Sequence, residues 1–155
     1  MTTKTTIEGL TLENLVDLFS TATYGSSWLE IDTTDQTEVE AEDGDCREDI
    51  WAKALLRGEC IACIDHYAEG EIYGILGTGV VSDDGDESVC YLITLQDVIN
   101  GLQKCADGTF KGDKSSHAWL AECFHHFKDD DSMEMDLPEA EALMQVIMFN
   151  ELIYG

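Results

Sequence analysis

The chain contains few basic residues. Eight lysines and arginines stand against 33 aspartates and glutamates, a formal net charge of −25. A small soluble domain typically carries a charge of magnitude about 2–8. Phosphate contacts need Lys and Arg, so direct nucleic-acid binding is disfavoured. An anionic membrane surface is disfavoured for the same reason. No apolar run approaches the roughly 20 residues of a membrane span. The opening MTTKTTIEGL has no apolar stretch of a secretory signal, so the expected setting is cytoplasmic. There is one proline among 155 residues, and no Gly/Ser-rich linker or internal repeat. A chain of this size is expected to form one domain over residues 1–155.

Apolar residues make up 44 % of the chain, enough for a real core despite the charge. The six cysteines are Cys46, Cys60, Cys63, Cys90, Cys105 and Cys123. Four of them fall inside apolar helix or strand patterns, where a free thiol packs as a small hydrophobe. With no secretory signal, free thiols in a reducing compartment are the expectation.

Hydrophobic periodicity supplies the elements. Thr11 caps a first helix with Leu12, Leu15, Val16, Phe19 and Ala22 at helical spacing, and Gly25 ends it. Residues 27–31 (SWLEI) read as a short strand, and residues 32–45 as an acidic flexible loop. Asp45 and Glu48 fit a capping box ahead of a helix that ends near Arg57 and Gly58. Residues 60–67 (CIACIDHY) predict a strand, residues 71–76 (EIYGIL) its antiparallel hairpin partner, and residues 89–93 (VCYLI) a third strand.

Thr94 with Asp97 opens another helix, and a further helix is expected over about residues 116–128. On that helix Trp119, Leu120, Cys123, Phe124 and Phe127 share the apolar side. Asp136, Pro138 and Glu139 start a last helix, expected to run to about Ile153. Its segment 142–149 (ALMQVIMF) is apolar nearly all round, which marks the centre of a core. The alternative is that one face of it meets a second copy, so the chain is a monomer or a homodimer through an apolar helix face. The fold class is α+β: a small antiparallel sheet of three to four strands with about five helices packed on one face, the C-terminal helix central.

Candidate chemical motifs are incomplete. Cys60-x-x-Cys63 has the spacing of a zinc or redox pair. No second such pair exists, and on a strand positions three apart point to opposite faces. Glu122-x-x-His125 is half of a di-iron carboxylate signature; the rest is missing. Cys123 with His126, or Asp65 with His66, would start a nucleophile–base pair, yet neither shows an orienting group or oxyanion donors. Asp83-Asp84-Gly85-Asp86-Glu87 matches a calcium loop in composition but not in spacing. Gly74, Gly77 and Gly79 form no phosphate loop and mark a strand end and a bend. No cofactor is expected. The enzyme alternative, metal- or thiol-dependent, rests on Cys60, Cys63, His66, Cys123, His125 and His126.

Acids gather in three stretches. The first holds Glu38, Glu40, Glu42, Asp43, Asp45, Glu48 and Asp49. The second holds Asp83, Asp84, Asp86 and Glu87. The third holds Asp129, Asp130, Asp131, Glu134, Asp136, Glu139 and Glu141. Duplex DNA carries one charge per about 1.7 Å, so a charge of this size matches about 43 Å of duplex. A compact domain of this length has a diameter near 40 Å, taken from a radius of gyration of about 15 Å. If the acids converge on one face, the surface imitates a phosphate backbone and draws a basic or DNA-binding protein. The bland alternative is a generic acidic surface on an accessory subunit.

Three stretches together resemble small acidic proteins of uncharacterised function carried by bacterial phages, plasmids and conjugative elements. They are Cys46–Gly58 (CREDIWAKALLRG), Ile93–Leu102 (ITLQDVINGL) and Phe149–Gly155 (FNELIYG). The resemblance covers about a third of the chain and supplies no catalytic residues. It implies a bacterial cytoplasm and a mobile-element setting, where anti-restriction DNA mimics occur. The reading from sequence is therefore a non-enzymatic acidic binding protein, with DNA mimicry as its specific form.

Overall fold

The structure is a computed structural model that describes residues 10–83, 86–124 and 135–154, with the side chains of 81–83 and 86 left aside. The elements run α1 (Leu12–Tyr24), β1 (Leu29–Asp32), α2 (Arg47–Leu56), β2 (Ile61–Asp65), β3 (Gly77–Asp83), β4 (Asp86–Ile93), α3 (Leu95–Asp107), α4 (Lys114–Phe124) and α5 (Leu137–Phe149). The four strands form one antiparallel sheet in the order β1-β2-β4-β3. The α+β class and its element order are as the sequence predicts. No described helix is long and apolar enough to cross a membrane.

Short-range chemistry fixes most helix starts. Thr11 Oγ1 accepts from the Asn14 N–H (3.1 Å), and Asn14 Oδ1 accepts from the Thr11 N–H (2.9 Å). Thr94 and Asp97 repeat the exchange at α3, and Asp136 accepts from the Glu139 N–H at α5. The start of α2 differs from expectation by one residue. Its N-cap is Cys46, whose N–H donates to Asp49 (2.8 Å). Asp45 is instead drawn to Lys53, at 2.7 Å.

The predicted hairpin between residues 60–67 and 71–76 is not formed. The second strand starts at Gly77 and pairs with β4, while β2 lies between β1 and β4. Residues 71–76 turn instead, because Gly70 and Gly74 adopt φ of +81° and +68°. Gly74 also lies so close to the end of α5 that a Cβ there would sit 2.9 Å from the Phe149 carbonyl oxygen.

One sheet face carries Leu29, Ile31, Ile61, Cys63, Val89, Tyr91 and Ile93 into the core; Glu30, Asp32, Ile64, Cys90 and Leu92 on the other are exposed or half-buried. Helix α5 packs against α1, α3 and α4. Ala142 to Phe149 are all buried within the chain, so that apolar surface is consumed by the chain's own core. Its six large apolar side chains from Leu143 to Phe149 contribute roughly 1.5–3 kcal/mol each. That is comparable with a whole domain's net stability of about 5–15 kcal/mol. Gly101 of α3 approaches Ile147 too closely to admit a Cβ. On α4, Leu120 and Phe124 are buried, whereas Trp119 is 40 % exposed although it shares their predicted apolar side.

The last helix stops at Phe149, short of the expected Ile153. Asn150 adopts φ +60° and caps it in a left-handed turn. The tail then folds back. Gln145, itself buried, accepts from the Ile153 and Tyr154 N–H groups (2.7 and 2.8 Å) and donates to the Tyr154 carbonyl (3.1 Å). Tyr154 donates its hydroxyl to both oxygens of Asp65 (3.0 and 2.8 Å), and the Tyr67 N–H adds a third contact (2.9 Å). Asp65 is fully buried, and burial raises its pKa against these donors.

A carboxylate with a raised folded pKa loses its stabilising balance as pH climbs above the unfolded value, near 3.9. Removing its hydroxyl donor therefore costs most where Asp65 is ionised. Tyr154→Phe is expected to lower unfolding stability by about 1–3 kcal/mol near pH 7, and by less near pH 4. Urea unfolding of variant and parent at both pH values measures this; equal losses would remove Asp65 from the account.

Candidate functional site

The first acidic stretch is organised by α2. Residues 33–46 carry no regular structure and run beside that helix towards its start. Arg57 reaches Glu38 (3.4 Å) and Glu59 (3.3 Å), while Lys53 reaches Asp45 (2.7 Å) and Glu42 (3.9 Å). The Lys53 ammonium beside it, with the Glu42 N–H, holds the Asp45 carboxyl below its ordinary range; Asp45 in turn raises Lys53. Val39 packs against the core and ties the segment down at its middle.

These contacts shape a groove of about 510 Å³ between α1, α2 and the loop. Leu12, Val39 and Leu56 form its apolar part, and Glu38, Glu40 and Glu42 edge it beside Lys53 and Arg57. Glu38, Glu40, Glu42 and Asp43 are exposed; Asp45, Glu48 and Asp49 are half-buried. Among the described residues Glu40, Asp43 and Glu48 form no ion pair. The first residue of α2, Arg47, lies over the Trp51 ring at 5.5 Å.

The second stretch sits at the turn between β3 and β4, where Asp83 and Asp86 pair across the strands and Glu87 is exposed. Asp84 lies outside the described residues. Strand register separates this turn from Glu38. The Glu38 N–H donates to Glu59, just ahead of β2, and that end of β2 pairs with the far end of β4. Glu38 and the turn therefore stand at opposite ends of the sheet, about 25 Å apart along an eight-residue strand.

Asp129, Asp130, Asp131 and Glu134 of the third stretch lie outside the described residues. Of the remainder, Asp136 caps α5 and Glu139 is hydrogen-bonded to Asp136 and Cys123. Burial and the adjacent Asp136 carboxylate raise Glu139 above its usual range. Glu141 edges a second groove, beside Trp119.

The chemical motifs fare differently. Cys63 is buried, Cys60 is half-buried, and no described group of three or more His, Cys, Asp or Glu is placed to hold a metal ion. His125, His126 and Gly85 lie outside the described residues. Burial, then the Glu139 carboxylate, pushes the Cys123 thiol up to about 11. Burial also pushes Cys63 and Cys105 well above the ordinary thiol range. Asp65 and His66 do point apart: Asp65 faces the core, and His66 lies between Ser88 (Nδ1 to Oγ, 2.9 Å) and Glu30 (Nε2 to Oε1, 2.8 Å).

That Ser–His–Glu set escaped the sequence. Its members are 22 and 36 residues from His66, and only the strand register brings them to one face. A nucleophilic serine needs access and amide donors for a developing oxyanion. Ser88 is buried in mid-strand, opposite Val81, where the neighbouring amides belong to the sheet. The arrangement acts as a polar staple joining β1, β2 and β4.

Comparison with protein-family models, curated proteins and solved structures finds no significant match.

A thiol held near 11 is about one part in a thousand thiolate at pH 8, and the thiolate is the reactive form. Brief native alkylation with iodoacetamide at about pH 8 is expected to label exposed Cys46 first, with Cys63, Cys105 and Cys123 last. Peptide mass mapping reads the order. Cys123 labelling ahead of Cys46 would reopen the thiol-enzyme reading.

Proposed function

We propose that this chain is an acidic binding protein whose partner presents a basic surface, of the kind found on DNA-binding proteins. The observation that carries the reading is charge in excess of any internal use. The formal net charge is −25. Lys53 of α2 and Arg57 just beyond its end are engaged in internal ion pairs, and Arg47 lies over Trp51. Around the groove of Leu12, Val39 and Leu56, Glu40 has no described cation of its own, nor do Asp43 and Glu48 nearby. Like charges at such density repel one another and weaken the compact state, so they are retained at a cost to stability. A partner's Lys and Arg would relieve that repulsion on binding.

DNA mimicry is the sharper form of the same reading. Its support is numerical: the charge equals that of about 43 Å of duplex at 1.7 Å per phosphate. With the acids turned to one face, a partner that normally grips DNA would meet a comparable charge density over a comparable length. A bacterial mobile-element setting, implied by the resemblance of Cys46–Gly58, Ile93–Leu102 and Phe149–Gly155, fits a role in blocking such proteins.

Affinity capture from a bacterial extract at low salt tests both forms. Retained proteins are expected to be basic, to leave the column as salt rises past about 300 mM, and to elute with duplex DNA. The triple variant Glu38→Gln, Glu40→Gln, Glu42→Gln should retain less. Elution by salt but not by DNA would keep the acidic-binding reading and remove mimicry. Retention of no basic protein at low salt would remove both.

A further inference from the structure

We propose that the groove between α4, α5 and the C-terminal tail is a docking site for a basic amphipathic helix of a partner protein. This rests on the basic-partner reading above and assigns the apolar anchor that charge alone does not supply. The groove has a volume of about 510 Å³. Trp119 lies on one wall, Leu137 and Ala142 on another, and Leu152 and Ile153 close it from the tail. From Leu137 to Gln145 it follows α5 for eight residues, about 12 Å, room for two turns of an apposed helix.

The chemistry of the lining selects the occupant. A small-molecule site needs a few free polar groups to orient its ligand. Here Gln145 spends its amide on Ile153 and Tyr154, and Ser116 spends its polar groups on Asp113. What remains for a ligand is apolar surface with one carboxylate, Glu141. An apolar stripe at positions i, i+3, i+4 and i+7 of a helix matches such a trough.

Charge then selects among helices. Glu141 is the one charged side chain that lines the groove, and it stands on a chain of formal net charge −25. An occupant flanked by Lys or Arg gains from Glu141 and from the chain's overall negative field, and one flanked by acids is repelled. A second copy of this chain, itself at −25, is the least favourable occupant on the same ground. Trp119, 40 % exposed, is the residue type that dominates binding energy when an interface closes over it.

Titration of the whole protein with three synthetic peptides tests the inference: a Leu/Lys amphipathic helix of about 18 residues, its Leu/Glu counterpart, and an oligolysine of equal charge. Tryptophan emission is the readout. Trp28 and Trp51 are each 3 % exposed, so a blue shift reports Trp119 leaving water. The Leu/Lys helix is expected to bind with a blue shift. Trp119→Ala, which lacks the reporter and is followed by the fluorescence anisotropy of a dye-labelled peptide, is expected to weaken it roughly tenfold or more. Glu141→Lys should weaken it without touching the core.

Oligolysine binding as tightly as the Leu/Lys helix, with no emission change, would overturn the groove and leave the acidic-binding reading intact. Binding of neither basic peptide would overturn both. Equal binding of the Leu/Glu helix would overturn the choice of a basic occupant. Light scattering that shows a dimer in the parent and a monomer in Trp119→Ala would give the groove to a second copy.

Discussion

Asp65 is a carboxylate in a place where only paired polar groups survive. Burying it without partners would cost several kcal/mol, and in that case the group would protonate. The chain meets this demand by bringing Tyr154, 89 residues away, onto both carboxylate oxygens. That one requirement fixes where the C-terminal tail must go. Gln145 reinforces it from α5, and the Tyr154 ring settles against Trp28 and Tyr67, with centroids 5.3 and 5.8 Å away. The tail in turn forms one wall of the Trp119 groove. A polar clamp at the end of β2 thus shapes an apolar surface on the far side of α5.

Against this stands the self-repulsion of an acidic chain. Exposed charges interact weakly in water and are screened within about 8–10 Å in physiological salt. The core is not screened. Helix α5 alone buries six large apolar side chains between Leu143 and Phe149. Apolar burial therefore sets the fold, and the field of the carboxylates acts on what approaches from outside. Charge of this kind raises encounter rates and selects the sign of the partner more than it supplies residual affinity. Affinity comes from desolvated anchors, and three of the exposed apolar side chains, Leu12, Leu56 and Trp119, line the two grooves.

Sequence reading succeeded where the determining chemistry is local. Thr11, Thr94 and Asp136 cap their helices through residues three positions on, a relation visible in any linear chain. It failed by one residue at α2, where Asp45/Glu48 and Cys46/Asp49 offer overlapping patterns. Lys53, eight residues beyond Asp45, decides between them in space. Residues 71–76 read as a strand because Ile72, Tyr73, Ile75 and Leu76 are apolar. Yet left-handed Gly74 breaks the run, and Ile75 ends 95 % exposed. The real strand, GTGVVSD, opens with two glycines and a register shift that propensity cannot foresee. At the candidate sites the acids of the first stretch were legible by composition. Their ion pairs with Lys53 and Arg57, the Glu30–His66–Ser88 staple and the exposure of Trp119 all depend on tertiary neighbours and left no mark on the sequence.

The spacing of the described acids bears on which basic surfaces can use them. Glu38 and the β3–β4 turn stand at opposite ends of the sheet, about 25 Å apart by strand length. That distance is about three Debye lengths in physiological salt, so each end acts independently on a small ligand. A short basic loop gains from one cluster only, with a shallow salt dependence. A groove built to hold a turn of duplex, about 34 Å long, spans both and sums their effects. The length of the partner's basic surface, more than its charge density, therefore separates generic acidic binding from imitation of DNA.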